Sequence, residues 1–488
     1  MTSRSERSAL TLAWLLPFAL FLITAYRDVG YWDTGEMDTV PYLLGIAHPT
    51  GFPAYTLLGW AVTHALPIGA VAFRMSLVSA VALSLAAFLV ARIVYERDGN
   101  AWAGTVAACI FATGGAVWAH ATKAEVHAVA TLADAATIYC ALRWKRDADA
   151  RWFLRGAAAW GFGIAVHPVC ALLLPGLLVL LIARFHELES KTVATAIALC
   201  AVIVVGFYAY LPLRSAYVVA HGLDPQVAMG LPAGRPFFNY DDPSTLAGFR
   251  AQVTGSDFAV DEGMRAIVDP SIYLRRGPEY LASLRDEFTW FGLPLILAGI
   301  IVSFRRDRLE TVVLATLGAV AVPFALGFPD ETDLGRYFMT SFAVSSIFAG
   351  TAIAAIAARL PRRFGGAVPA VAALIAVALA ATQRNFYHQP WDDRARREIV
   401  VVNAVTEPNA MIVANWAYAT PLAYAKYVEG GLGARGLDAA WIDDDADYVV
   451  RWAKTRPVYF VGAFPGSVPG YVTEALAVRP PIYRLVKR

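Results

Sequence analysis

Charged residues are scarce in this chain. Asp, Glu, Lys and Arg make up 16% of its 488 residues, while 58% are hydrophobic. A soluble protein of this length carries far more charge, so a water-soluble globular fold is excluded. Cysteine is sparse as well: Cys109, Cys140, Cys170 and Cys200 each lie alone in an apolar run. No two stand at metal-ligand spacing. They read as small buried apolar residues, without a disulfide framework or a zinc site. A basic surface is also missing. The net charge is +2, and the Lys and Arg residues fall in short clusters between apolar runs, which leaves no footprint for nucleic acid.

What the sequence does have is apolar runs of spanning length, near 9–26, 71–95, 101–120, 125–142, 156–167, 169–184, 192–213, 288–304, 310–328, 337–358 and 365–382. A run of about 20 apolar residues crosses a bilayer. The expected fold is therefore mainly α, a polytopic membrane helix bundle of about 11 transmembrane helices. The first run follows Arg4 and Arg7, is long, and lacks a clear small-residue cleavage site, so it reads as an uncleaved signal anchor.

Lys and Arg mark the cytoplasmic side. With the N-terminus inside, Arg97, "RWKRDADARWFLR", Arg184 with Lys191, "RRDR" and "RLPRR" all fall inside, and the acidic loops fall outside. The expectation is a multi-pass protein of the cytoplasmic (inner) membrane. Its transmembrane domain spans 1–383, with a first outer loop at 27–70 and a long outer loop at 215–285. An extracytoplasmic domain follows at 384–488. There "NAMIVANWAYATPLAYAKYV" reads as a strand running into a helix and "RPVYFVGAF" as another strand, which gives a small α/β domain. "GGLGARG" matches G-x-G-x-x-G but follows a helix and precedes none, so it reads as a loop. "WIDDDADY" reads as a solvated acidic turn.

Polar chemistry concentrates in the outer loops. In "DTGEM", Asp33 and Glu36 are three apart, with Gly35 between them. A helix starting at Thr34 would set acids near its positive end; the plainer alternative is that Asp33 only caps it. "GIAHPTGFPAY" follows directly. Pro49 and Pro53 stop the helix and Gly51 permits a tight turn, which returns His48 toward the carboxylates. "KAEVH" offers Lys123, Glu125 and His127, as site residues or as an interfacial belt. Arg214 in "YLPLRSAY" lies at an outer helix end, against the positive-inside trend, which suits a phosphate ligand. "FNYDDPSTLAGF" and "PDETDLGRYF" add Asp241, Asp242, Asp330, Glu331, Asp333 and Arg336, each alone readable as a turn or cap.

The ordered set "DTGEM…LLGIAHPTGFPAYTLLG", "AVAFRMSLVSA", "KAEVHAV", "LPLRSA", "DDPSTLAGFRAQVTG" and "DLGRYFMTSF" resembles the bacterial members of a polytopic membrane family. Its animal branch is an endoplasmic-reticulum protein O-mannosyltransferase acting on plexin-type domains, within the GT-C superfamily of glycosyltransferases. The resemblance runs from about Tyr31 to Phe342, with a weaker echo at "PNAMIVANW". It implies a catalytic carboxylate in the first outer loop and a sugar donor carried on polyprenyl phosphate. Asp33 matches the loop aspartate, Glu36 its partner acid, His48 the histidine before the turn, and Glu125 an acid after the third helix. Thr34, Thr50, His127 and Asp241 depart from the family's usual serine, proline, tyrosine and glycine.

The expected activity is that of an inverting hexosyltransferase. It would move a sugar, mannose by resemblance, from a polyprenyl-phosphate donor to an extracytoplasmic acceptor, either a protein hydroxyl or a glycan. Asp33 and Glu36 would be catalytic, with His48, Lys123, Glu125, His127, Arg214, Asp242 and Arg336 binding substrate. No metal or other cofactor is expected, although Asp33 and Glu36 could hold a divalent ion. The alternatives are a transporter or flippase for lipid-linked sugars, which would need ionisable residues deep in the helices, and a non-catalytic scaffold for the tail.

Overall fold

A computed structural model describes residues 3–255, 264–328, 333–361, 367–439, 446–462 and 468–488. Asp330, Glu331 and most of the "WIDDDADY" turn lie outside these residues. Helix α1 (Arg4–Thr24) opens with a capping box, in which Ser3 and Glu6 satisfy each other's backbone N–H groups. The expected first outer loop is itself helical: α2 (Asp33–Leu43) and α3 (Pro53–Ala65) flank a turn, and Pro53 starts α3 where no N–H is needed. Then come α4 (Val71–Asp98), α5 (Ala101–Thr113), α6 (Gly115–Ala121), α7 (Val126–Asp147), α8 (Ala150–Val166), α9 (Leu174–Arg184), α10 (Ser190–Tyr208) and α11 (Tyr210–Ala220). The later helices include α12 (Pro270–Arg306), α13 (Arg308–Ala319), α14 (Gly335–Arg359) and α15 (Ala367–Thr382).

Seven helices among the described residues are long and apolar enough to cross a membrane, or eight if α5 and α6, bent by 75°, form one broken span. The three further expected spans do form helices. Helices α8 and α15 are short, at 17 and 16 residues. Helix α7 is diluted by polar groups turned inward; Asp134 accepts from Thr340 of α14 at 2.6 Å. The expected loop at 215–285 is partly helical, because α12 begins at Pro270 and bends at Thr289, which has φ 58°.

The α5–α6 bend has a clear cause. A helix broken at Gly114 frees backbone donors, and the Glu287 carboxylate of α12 accepts from Ala116 (2.7 Å) and Val117 (3.2 Å). A Cβ at position 114 would stand 2.0 Å from that carboxylate, so only glycine fits.

The tail forms a five-stranded sheet in the order β2-β1-β3-β5-β4: β1 (Met411–Ala414), β2 (Gly436–Ala439), β3 (Val458–Val461), β4 (Tyr471–Val478) and β5 (Pro481–Lys487). β1 runs parallel to β2 and β3, whereas β5 is antiparallel to both β3 and β4. Helix α16 (Trp416–Ala423) follows β1 directly, the strand-into-helix unit expected from the sequence. "GGLGARG" forms turns leading into β2. The tail is docked firmly on the first loop. Ala419, Leu422 and Tyr424 share a buried cluster with Met37 and Val40, and Arg396 grips Asp28 at 2.6 Å.

Candidate active site

Asp33 is the first residue of α2, and the cap position belongs to Trp32, which makes no side-chain capping bond. The carboxylate is thus free of capping duty. One oxygen accepts from the Arg336 guanidinium at 3.1 Å and the other from the Trp416 indole N–H at 3.0 Å. Burial would raise its pKa; His48, Arg336 and the Trp416 hydrogen bond outweigh this and hold it below the usual carboxylate range. Asp33 therefore stays ionised at neutral pH while 40% of its side chain remains open to the cavity.

Glu36, one turn further on, is fully buried. It accepts from the His48 backbone N–H at 2.9 Å and pairs with the His48 ring. The turn containing Pro49 and Gly51 does return His48 to the acids. Burial alone would lower the imidazole pKa, but the Glu36 carboxylate, with Asp33 beyond it, raises it to about 9. A folded value above the unfolded value stabilises fully below about 6.5, and that contribution is lost as pH rises through about 9. The melting temperature of the wild type should therefore fall more steeply than that of His48→Gln above neutral pH. Parallel curves would remove the pair from the stability of this loop.

Trp32, Asp33, His48, Glu125, His127, His167, Arg336, Tyr337 and Trp416 line one cavity of about 320 Å³. Glu125 caps α7 by accepting from the His127 N–H at 3.1 Å. The His127 ring lies 4.5 Å from that of His167 and 4.7 Å from that of Tyr337. Beside the cavity, Asp333 accepts from His120 at 3.1 Å and lies 3.7 Å from Lys123. Its burial is outweighed by His120, Lys123 and Arg336, which keep it well below the carboxylate range.

Of the expected site residues, Asp33, His48, Glu125, His127 and Arg336 meet in this cavity, and Glu36 and Lys123 stand directly behind its wall. Arg214 and Asp242 lie elsewhere. Arg214 donates to the Leu44 and Leu43 carbonyls at 2.6 and 3.2 Å, closing the C-terminus of α2. Asp242 ties its own loop together, accepting from Ser215 (2.8 Å) and Ser244 (2.6 Å).

Sequence reasoning did not single out His167, Trp416, Tyr337 or His120. His167 carried a usable signal, since "VHP" repeats the His-Pro of "AHP" in the first loop. Trp416 sits just past β1, where the carboxyl ends of parallel strands present ligand-facing groups.

Asp33, Glu36 and His48 each offer a ligand atom, all within 4.8 Å of one another, a grouping that could hold a metal ion. The charges there are already balanced by Arg336 on Asp33 and by the His48 ring on Glu36. An ion would have to displace Arg336 and take the place of the His48 proton, so the set fits a cation poorly.

The bundle, the helical first loop and the docked tail define a class, the polytopic membrane proteins of GT-C architecture. The crystal structure of ArnT from Cupriavidus metallidurans bound to undecaprenyl phosphate superposes with a TM-score of 0.59 at 12% identity, covering 97% of both chains. The apo form of the same protein gives 0.56, covering 98% of both.

Residues 33–191 match the Protein O-mannosyl-transferase TMEM260 N-terminal domain. The chain is 23% identical to the mouse Protein O-mannosyl-transferase TMEM260 over 359 residues, covering 70% of this chain and 49% of that protein. The Dictyostelium discoideum protein of the same description is 29% identical over 125 residues, covering 25% of this chain and 15% of its own. The chain thus spans at most about half the length of these relatives.

Proposed function

We propose that the chain is an inverting membrane glycosyltransferase that moves a hexose, mannose by analogy with its relatives, from a polyprenyl-phosphate donor to an extracytoplasmic hydroxyl, most simply that of a protein. One observation carries this reading: an ionised carboxylate, Asp33, opens into the cavity between a guanidinium and an indole N–H. The relatives' description as protein O-mannosyltransferases and the undecaprenyl phosphate of the ArnT structure support the donor and reaction class.

A hydroxyl is a poor nucleophile at neutral pH and needs a base within hydrogen-bond reach. Asp33 takes the acceptor proton as the acceptor oxygen bonds to the anomeric carbon. The bond from that carbon to the donor phosphate oxygen breaks on the opposite face, and the electron pair leaves with the phosphate. Arg336 is placed to bind that departing charge. Glu36 does not line the cavity; through His48 it positions the loop that carries the base. Buried Asp134 and Glu287, which a transporter would use along a path, each have a structural partner. The test is transfer of labelled mannose from polyprenyl-phosphate mannose to a hydroxyl-bearing peptide by the purified protein. Binding of undecaprenyl phosphate should be measurable beside it, and absence of both would overturn the reading.

The same reading sets the orientation. Arg97, Lys145, Arg306 and their acids, Asp98 and Glu310, form one ionic cluster at the bundle end away from the cavity, as expected for the cytoplasmic face. Reporter fusions after Arg308 and after Arg488 should report opposite sides, cytoplasmic and extracytoplasmic. Both reporting the cytoplasm would reverse this placement.

A further inference from the structure

The hairpin of α7 and α8 carries His127 and His167 at one end. At the other end α7, α8, α9 and α10 leave a groove of about 250 Å³ that no part of the described protein fills. Its walls include Trp144, Trp152, Trp160, Leu177 and Ala196, and Ile197 at its rim is 66% exposed. The mouth is basic. From Arg143 to Arg155 the chain holds five basic and two acidic residues, of which Lys145, Arg146 and Arg151 are paired with Glu310, Glu96 and Asp149. The guanidinium groups of Arg143 and Arg155 lie 4.4 and 4.6 Å from the ring of Trp152. Arg143 also pairs with Asp147 and Glu96, whereas Arg155 has no carboxylate within ion-pair distance among the described residues. It is a cation held in place and left without an anion.

We propose that this groove binds one anionic phospholipid, with an acyl chain among the tryptophans and the headgroup phosphate on Arg155. An apolar slot ending in a guanidinium held over Trp152 matches that amphiphile, and basic pockets between membrane helices favour anionic headgroups. The donor of the proposed reaction does not fit here. Trp144 lies 17 residues along α7 from His127, about 25 Å at the helical rise, so a phosphate at this mouth belongs to the opposite leaflet. The inference stands independently of the proposed activity.

The test is native mass spectrometry of the full chain after exchange with equal amounts of palmitoyl-oleoyl phosphatidylglycerol and phosphatidylcholine. One phosphatidylglycerol per chain should be retained over phosphatidylcholine. Arg155 is exposed and without an ion pair, so Arg155→Gln should fold and retain about fivefold less. Gly156 faces the groove, and Gly156→Leu, checked for folding by its melting temperature, should abolish retention. Equal retention of the two lipids, or wild-type retention by Arg155→Gln, would overturn the proposal.

Discussion

Asp33→Asn should fold, bind undecaprenyl phosphate with unchanged affinity, and turn over about 10² to 10⁴ times more slowly, the usual contribution of a positioned base. The amide keeps the size of the side chain and an oxygen for the Trp416 N–H, but it cannot take the acceptor proton. The structure sharpens this test. If Asp33 capped α2, its loss would unravel the helix; because Trp32 occupies the cap position and Asp33 makes no capping bond, even Asp33→Ala should keep α2. Transfer rates and circular dichroism on both variants separate chemistry from folding. A fully active Asp33→Asn protein would remove the base from the mechanism.

Arg336→Ala should weaken undecaprenyl phosphate binding by about 1.5–3 kcal/mol, the range for a hydrogen bond to a charged group. It should also move the acid side of the pH profile. The guanidinium lies 3.1 Å from Asp33 and is one of the charges that lower its pKa. Without it the Asp33 pKa rises, and activity should be lost at a higher pH on acidification. Titration of lipid binding and a pH–rate profile read the two effects separately. Unchanged affinity would take phosphate recognition from Arg336, and an unmoved acid limb would take away its hold on the base.

The first outer loop was legible because its chemistry is local. Asp33, Glu36, His48 and the two prolines lie within 21 residues, so helix ends and a tight turn suffice to bring His48 back to Glu36. Arg336 could be named as a cation on the right side of the membrane, but its pairing with Asp33 crosses 303 positions and depends on how α14 packs. The same limit accounts for Arg214 and Asp242. Hydropathy and charge bias assign a residue to a membrane face, not to a neighbour on that face, and both found partners in their own vicinity instead of the cavity.

Span counting met a related limit. Helix α7 hides Asp134 and Thr137 against other helices, so a bundle-facing polar stripe lowers its mean hydropathy without removing it from the bundle. The contact of Asp33 with Trp416 places the first loop and the tail on one face, which requires an even number of crossings between them. Eleven spans meet that condition and so do seven, whereas eight do not.

The indole of Trp416 also carries a consequence for biosynthesis. It supplies one of the two hydrogen bonds that aim Asp33, and it comes 383 residues later in the chain. A ribosome inserting this protein releases α2 long before β1 and α16 exist. Through most of translation the growing polypeptide carries a carboxylate that at most Arg336 orients, and the centre is completed only when the final segment docks. Premature termination anywhere before residue 416 therefore leaves Asp33 without one of its two hydrogen-bond donors.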